Sequence, residues 1–373
     1  MAQAKIVSGP KVRYAVVGVG WIAQTAFLPG IEHTGNSELV ALVTGHAEKA
    51  QKVGEKYGIS AVYEYGEFDK LLKSGDIDAV YLATPNFDHV DLAVKTLNAG
   101  IHLLLEKPMA VSVAECERII EASEKTNAKL MIAYRLHHEP GMLAALDTVR
   151  SGKLGQLRYF NSSFSQPVSG QNHRARNGYW AGPVPDMGPY PINTVRNLFG
   201  AEPIEVMAMG VCTDAAKFTM SDTVAVTLTF PGRRIATMML SYNAQDLDDF
   251  RVVGQLGDLF SQPAFQVGSQ VKHVVTVGTK TTRETFEKTD QFGGELKYFS
   301  DCVLNNRQPE ADGEEGLLDV RVLEAVERAL ATGVPQTLKA YTRKRRPEAR
   351  QVETLDPVKV PELVGAHKPS DGQ

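Results

Sequence analysis

Three short stretches bring together residue types able to hold and orient a redox cofactor. Gly18-Val19-Gly20-Trp21-Ile22-Ala23 has the form G-x-G-x-x-A and follows an apolar run directly. Gly18 permits the tight turn, Gly20 lets the backbone approach a pyrophosphate, and Ala23 leaves room for a helix to pack on the sheet. The helix entered through Trp21 and Ile22 offers free N–H groups and the positive end of its dipole to phosphates. The second stretch, Val43-Thr44-Gly45-His46-Ala47-Glu48-Lys49, lies where an NAD site usually places a ribose-binding carboxylate. No carboxylate stands at this strand tip. Thr44, His46 and Lys49 instead supply a hydroxyl, an imidazole and an ammonium around Gly45, a set suited to the 2′-phosphate of NADP. An alternative stays open, in which Glu48 and Lys49 are simply exposed on the next helix, and Glu48 could still reach a ribose. The third stretch, Leu103-Leu104-Leu105-Glu106-Lys107-Pro108-Met109, ends an apolar run in two opposite charges against a proline, and Thr84-Pro85-Asn86-Phe87-Asp88-His89 ends another. Ligands of doubly wound sheets bind outside the carboxyl ends of the strands. Thr84, Pro85, Asn86, His89, Glu106 and Lys107 therefore point at the nicotinamide region, while Asp88 reads more simply as an N-cap.

The elements that position these residues follow from periodicity. From Val12 to about Ala133, apolar runs at 14–17, 39–43, 79–83, 102–105 and 129–133 alternate with segments such as 47–57 and 89–98, whose apolar residues recur every three or four positions. Strands apolar on both sides and separated by helices predict a parallel sheet covered on both faces, a Rossmann doubly wound α/β domain over residues 11–134. After about Arg150 the pattern changes to period two, as in Thr223 to Phe230, and Pro231-Gly232 turns into Arg234 to Leu240. Further strands are expected at 157–164, 204–211, 249–253 and 273–277, with helices near 296–303 and 317–330 covering one face. This predicts an α+β domain with an open, mostly antiparallel sheet over 135–340, followed by a tail, 341–373. The other face of the sheet is expected to join two copies of the chain as a homodimer.

Composition narrows the function classes. The chain has 373 residues, 43 % hydrophobic and 23 % charged, with a formal net charge of -4. No apolar run suits a membrane span, and no global charge draws the chain to nucleic acid. The basic cluster Arg343-Lys344-Arg345-Arg346 reads as a solvated tail. Cys116, Cys212 and Cys302 are odd in number and far apart, which suits free thiols in a reducing cytoplasm, and the start MAQAKIVSGPKVRYAVV shows no apolar signal core, although a removed export signal stays open. Adjacent His137 and His138 have no third ligand and read as surface or capping residues, so no metal is expected.

The chain resembles the Gfo/Idh/MocA family, the sugar and polyol oxidoreductases named after glucose–fructose oxidoreductase and inositol dehydrogenase. The resemblance rests on Gly18 to Ala23, Glu106-Lys107-Pro108, Asp186-Met187-Gly188-Pro189-Tyr190 and Glu315-Gly316-Leu317-Leu318-Asp319-Val320-Arg321-Val322. It is nearest to the glucose–fructose type. That pattern appears as Thr44-Gly45-His46-Ala47-Glu48-Lys49, with Tyr65 at an aromatic position near the adenine end and Tyr190 where most relatives carry histidine. Leu130 to Arg135 extends the likeness and brings Arg135 to the domain junction, near cofactor and substrate. Two stretches depart from the pattern, Ala181-Gly182-Pro183-Val184-Pro185 and Gln171 to Trp180.

The resemblance implies an NADP-dependent oxidoreductase that moves hydride between C1 of a glucose- or xylose-like aldose and the nicotinamide, with the cofactor either released or retained between turnovers. Such an oxidation needs a hydride acceptor, a base for the hydroxyl proton and groups that fix the sugar. A phenol acts as base only where a cation favours phenolate, so Tyr190 is paired with Lys107 as that cation, and Asp186 accepts hydrogen bonds from sugar hydroxyls. Arg135, Trp180 and Asn193 are further substrate contacts. Tyr190 could instead be a packed aromatic, and Asp186 could cap the helix holding Pro191 to Leu198. The competing function is a non-catalytic NAD(P)-binding sensor of the same fold.

Overall fold

The computed structural model describes residues 9–371. Most of the sequence start discussed above, residues 1–8, lies outside the described residues. The first half of the chain builds a parallel sheet from β1 (Val12–Val17), β2 (Ser37–Val43), β3 (Val62–Tyr63), β4 (Ala79–Leu82), β5 (His102–Glu106) and β6 (Leu130–Ala133), in the order β3-β2-β1-β4-β5-β6. All of β4 and β6, and all but the first residue of β5, are buried, as strands covered by helices on both faces must be. The expected five strands become six because Val62–Tyr63 forms a two-residue edge strand, too short to leave a periodic signal.

The second sheet contains β7 (Leu157–Ser165), β8 (Glu205–Val211), β9 (Thr223–Phe230), β10 (Arg234–Ser241), β11 (Leu247–Gly254), β12 (Gly257–Ser261), β13 (Lys272–Val277), β14 (Lys280–Thr285) and β15 (Gln336–Thr337). Its order is β14-β13-β12-β11-β7-β10-β9-β8-β15, and only β7 and β10 pair in parallel. In β9 every second residue is buried, so one face meets the core and the other does not.

The two helices expected to cover this sheet divide their work. Gly313–Thr332 packs on β8, but Gln291–Leu304 lies against the parallel sheet: Leu296 and Phe299 join its core, and the Tyr14 and Ser300 hydroxyls are 2.8 Å apart. Sequence periodicity shows that a helix has a buried face, but not which sheet buries it.

The basic cluster corrects the reading of a solvated tail. Arg343 is almost wholly buried, and its guanidinium pairs with Glu310, Asp312, Glu314 and Glu315. Arg346 reaches Glu202 at 2.6 Å, and Arg345 reaches Asp312 at 2.8 Å. They join a buried polar network around Arg196, which is fully enclosed and pairs with Glu202, Glu315 and Asp319. His137 is likewise buried rather than a surface or capping residue, lying 2.8 Å from Glu310 and 2.7 Å from Asn193. His138 is buried too, its Nδ1 3.0 Å from the Gln351 carbonyl. Carboxylates taken out of water require such cations, and removing one cation strands several anions. Arg196→Met is therefore expected to lower unfolding free energy by about 3–5 kcal/mol, measured by urea denaturation; a loss under about 1 kcal/mol would show the network to be dispensable.

Candidate active site

The carboxyl ends of β4 and β5 face the second domain, and Lys107 stands at their junction. Its ammonium donates to the Asp186 carbonyl at 2.7 Å and lies 3.3 Å from Asp186 Oδ1. Asp186 sits in the short helix Pro183–Met187, ahead of Pro189–Phe199, and caps neither. Its Oδ2 accepts from Arg174 Nε at 3.0 Å and from the Tyr242 hydroxyl at 2.8 Å. Burial alone would favour the neutral acid. The cations Arg174 and Lys107, with the Tyr242 hydrogen bond, instead hold the carboxyl well below the usual carboxylate range. For Lys107, burial opposes the charge, but Tyr190, Asp186 and Glu106 raise the pKa above its ordinary value. The ammonium is thus fixed, charged and oriented.

Tyr190 lies beside it. Lys107 Nζ is 4.8 Å from the ring centroid, and the Arg135 guanidinium is also 4.8 Å from it. Phe164 meets the ring edge-on at 5.6 Å. Among the described residues the Tyr190 hydroxyl has no hydrogen-bond partner, so its Oη is free to meet a substrate. Lys107 therefore faces the phenol ring rather than bonding its oxygen, and Asp186 has most of its acceptor capacity committed to protein donors. Glu106 is held below the surface by the Tyr81 hydroxyl at 2.6 Å; burial raises its pKa, against the opposing pull of Lys107. This contact fixes the carboxylate at the end of β5.

The cofactor end keeps its expected geometry. Gly18 has φ +90°, and a Cβ there would lie 2.6 Å from the Ala83 carbonyl oxygen, so only glycine fits. A Cβ on Gly20 would meet nothing within 4 Å, leaving its backbone accessible. Among the described residues, Trp21 Nε1 and Thr84 Oγ1 are buried without a partner, and Trp21 and Ile22 open the helical segment that continues through Ala23–Phe27. Thr44 is buried at the tip of β2, Gly45 abuts the Tyr65 ring, and His46 is exposed before the helix Ala47–Tyr57. Half-buried Lys49 donates to the Val19 carbonyl at 3.2 Å, and burial lowers its pKa. An ammonium with one carbonyl partner, a threonine hydroxyl and a glycine-loop backbone form a donor set that fits a phosphorylated ribose and a pyrophosphate. Glu48 instead pairs with Lys52 on the exposed side of that helix.

Residues 12–134 match an oxidoreductase family with an NAD-binding Rossmann fold, GFO/IDH/MocA, and residues 142–260 match the GFO/IDH/MocA C-terminal domain. The chain belongs to this family. A D-xylose 1-dehydrogenase [NADP(+)] from Haloarcula marismortui is 31 % identical over 86 % of this chain and 91 % of its own. The crystal structure of an aldose–aldose oxidoreductase from Caulobacter crescentus has a TM-score of 0.83 and 32 % identity, covering 88 % of this chain and 100 % of that one. A 3-ketoreductase from Actinomadura kijaniata, in complex with NADP, has a TM-score of 0.76 at 23 % identity, over 86 % of this chain and 98 % of its own, and shares the fold.

Within this GFO/IDH/MocA chain several residues expected at the ligand also bond to protein groups. Asn193 is buried, donating to Glu315 at 2.8 Å and lying in the Arg196 network. The Arg135 guanidinium donates to Gln291 and to the Phe265 carbonyl and lies 4.8 Å from the Tyr190 ring centroid. Asn86, following Pro85, donates to the Trp180 carbonyl at 2.7 Å, and Trp180 Nε1 donates to Glu327, so this pair ties the two domains together. Asp88 occupies the N-cap position of His89–Asn98 without a side-chain cap bond. Arg174 and Tyr242 were not legible as site residues: Arg174 lies in the stretch that departs from the family pattern, and Tyr242 directly follows the last residue of β10.

His89 is buried, 3.0 Å from both the Thr84 and the Pro108 carbonyls, and so joins the loops after β4 and β5. Burial lowers its pKa to about 4. A histidine depressed in the folded state leaves the unfolded chain binding a proton first, so stability falls as pH drops from about 6.5 to about 4. His89→Gln removes roughly 2–4 kcal/mol of that decline, read as the difference between urea unfolding curves of variant and wild type at pH 7.5 and 4.5; parallel pH profiles would refute the assignment.

Proposed function

We propose that this oxidoreductase transfers hydride between C1 of an aldose of the xylose or glucose type and NADP. The observation that carries the reading is the placement of Lys107, locked by Asp186 against the face of a tyrosine whose hydroxyl has no partner among the described residues. NADP would be held by the glycine loop Gly18 to Trp21, by Thr44 and Lys49 at the 2′-phosphate, and by Thr84 near the nicotinamide; when bound it supplies the hydride acceptor. The NADP(+) dependence of the similar xylose dehydrogenase supports the choice of cofactor.

Tyr190 Oη takes the proton of the anomeric hydroxyl as the C1–H bond breaks, leaving a lactone. Lys107 favours the phenolate that takes this proton and stabilises the negative charge that develops on the sugar oxygen. Asp186, kept ionised, holds Lys107 charged and aimed. Arg174 and Tyr242 fix Asp186 in turn. General acid–base groups contribute roughly 10²–10⁴-fold to rate, so Tyr190→Phe and Lys107→Ala should each lower kcat by that factor with D-xylose or D-glucose, followed as reduced nicotinamide absorbance. A change within a few-fold would refute the mechanism. No redox change in the wild type across a panel of aldoses would favour the sensor reading instead.

The outer face of the second sheet supports a homodimer. Met209 and Met239 both lie opposite Ala225, and Tyr159 opposite Ile235, so their exposed side chains form one apolar surface across β7, β10, β9 and β8. Light scattering is expected to give twice the chain mass, with Met209→Glu/Met239→Glu shifting it toward the monomer; a monomeric wild type at micromolar concentration would rule this out.

A further inference from the structure

Beyond its buried arginines, the C-terminal segment runs back across the junction of the two domains. At 353–355 it is packed on the helix Gln291–Leu304: Glu353 pairs with Lys297 at 2.7 Å, and the Leu355 carbonyl accepts from Asp290 N at 2.9 Å. It then passes along the cofactor end of the parallel sheet. The Glu362 carbonyl accepts from Lys56 Nζ at 2.6 Å. Val364 is held in both directions by the Gln24 side chain, which accepts from Val364 N at 2.8 Å and donates to its carbonyl at 2.9 Å.

Gln24 is itself a buried part of the dinucleotide loop. Its Nε2 also donates to the Val19 carbonyl at 3.1 Å, the same oxygen that Lys49 contacts. The next residue, Gly365, lies against the Lys49 side chain, since a Cβ on it would come within 3.5 Å of Lys49 Cε. Only four residues later the Pro369 carbonyl accepts from Ser169 N at 2.9 Å, in the loop that follows β7 and leads to Arg174. Five residues of chain reach at most about 18 Å. Residues 364–369 thus bridge the cleft between the glycine loop and the substrate domain, and exposed Lys368 places a positive charge on that span.

We propose that residues 358–371 form a strap that closes over the adenosine and phosphate end of bound NADP and slows its exchange. This rests on the NADP reading above and deepens it: a strapped cofactor stays on the protein while one aldose reduces it and a second sugar reoxidises it. Hydride leaves C1 of the first sugar for the nicotinamide and passes to the carbonyl carbon of the second, whose oxygen takes up a proton, so no free nicotinamide is consumed. Lys56 and Gln24 anchor the strap on one domain and Ser169 on the other. The Lys56 contact is exposed and the Ser169 contact half-buried, and each is a single hydrogen bond, so the strap can open without unfolding either core.

The test is the dissociation rate of NADPH from the full-length protein and from a chain lacking residues 358–373, followed by nicotinamide fluorescence after dilution into excess NADP. The deletion keeps the packing of Glu353 and Leu355. It is expected to raise the rate at least tenfold, with Lys56→Ala raising it a few-fold, while thermal midpoints of the cofactor-free proteins stay within a few degrees. Equal rates in the two chains would overturn the strap alone, and tighter binding by the deleted chain would show the segment to be a competitor of the cofactor. Failure of the full-length protein to bind NADPH at all would overturn the cofactor reading, and the strap with it.

Discussion

The contact between Lys107 and Asp186 joins the two halves of the molecule at the point where chemistry is possible. One partner ends a buried strand of the parallel sheet, and the other lies on a short helix of the second domain, 79 residues later. Taking an ammonium and a carboxylate out of bulk water is unfavourable unless both are well satisfied. Here the cost is offset by a carbonyl on the lysine side and by Arg174 and Tyr242 on the aspartate side. The result is a fixed positive charge beside a phenol in a partly dehydrated cleft, a setting in which electrostatic stabilisation is strong and requires little reorganisation.

Below this pair the chain carries a second, more deeply buried charge system around Arg196 and Arg343. It joins the helix that holds Tyr190, the helix that begins at Gly313 and the segment after Lys339. Its effect on function is indirect: it holds the Pro189–Phe199 helix, and through it Tyr190, in register with Lys107. The same segment that supplies Arg343 and Arg346 continues onto the parallel sheet, so the position of the strap is set by the core network. Glu295 stands apart, with both carboxylate oxygens buried and, among the described residues, unpartnered; burial and the nearby Glu106 raise its pKa well above the ordinary carboxylate value.

Local chemistry was legible wherever one backbone segment does the work. Gly18 takes the positive φ of the expected tight turn and Gly20 leaves its backbone uncovered, both properties of the backbone itself. Thr44 at the tip of β2 and Lys49 on the next helix stand where expected because strand, turn and helix are consecutive. Reading failed where a side chain's role depends on what lies opposite. The protein partners of Asn193 and Arg135, Glu315 and Gln291, come from more than 100 residues away and leave no local signal. His137 and His138 looked superficial for the same reason, and Arg343 looked solvated because four acidic partners cannot be inferred from a run of basic residues.

The sequence by itself determined the two periodicities, and with them a parallel sheet followed by an open mixed one, the turn that faces a pyrophosphate, and a lysine at the end of a buried strand. These depend on neighbours three to six residues apart. Tertiary structure alone decided that Asp186 is shared by Lys107, Arg174 and Tyr242, that Tyr190 lies with its ring against two cations, and that the end of the chain crosses the cleft. Each of those requires distant segments to meet, and electrostatic pairing depends on distance in space and on burial, neither of which is written in the order of residues.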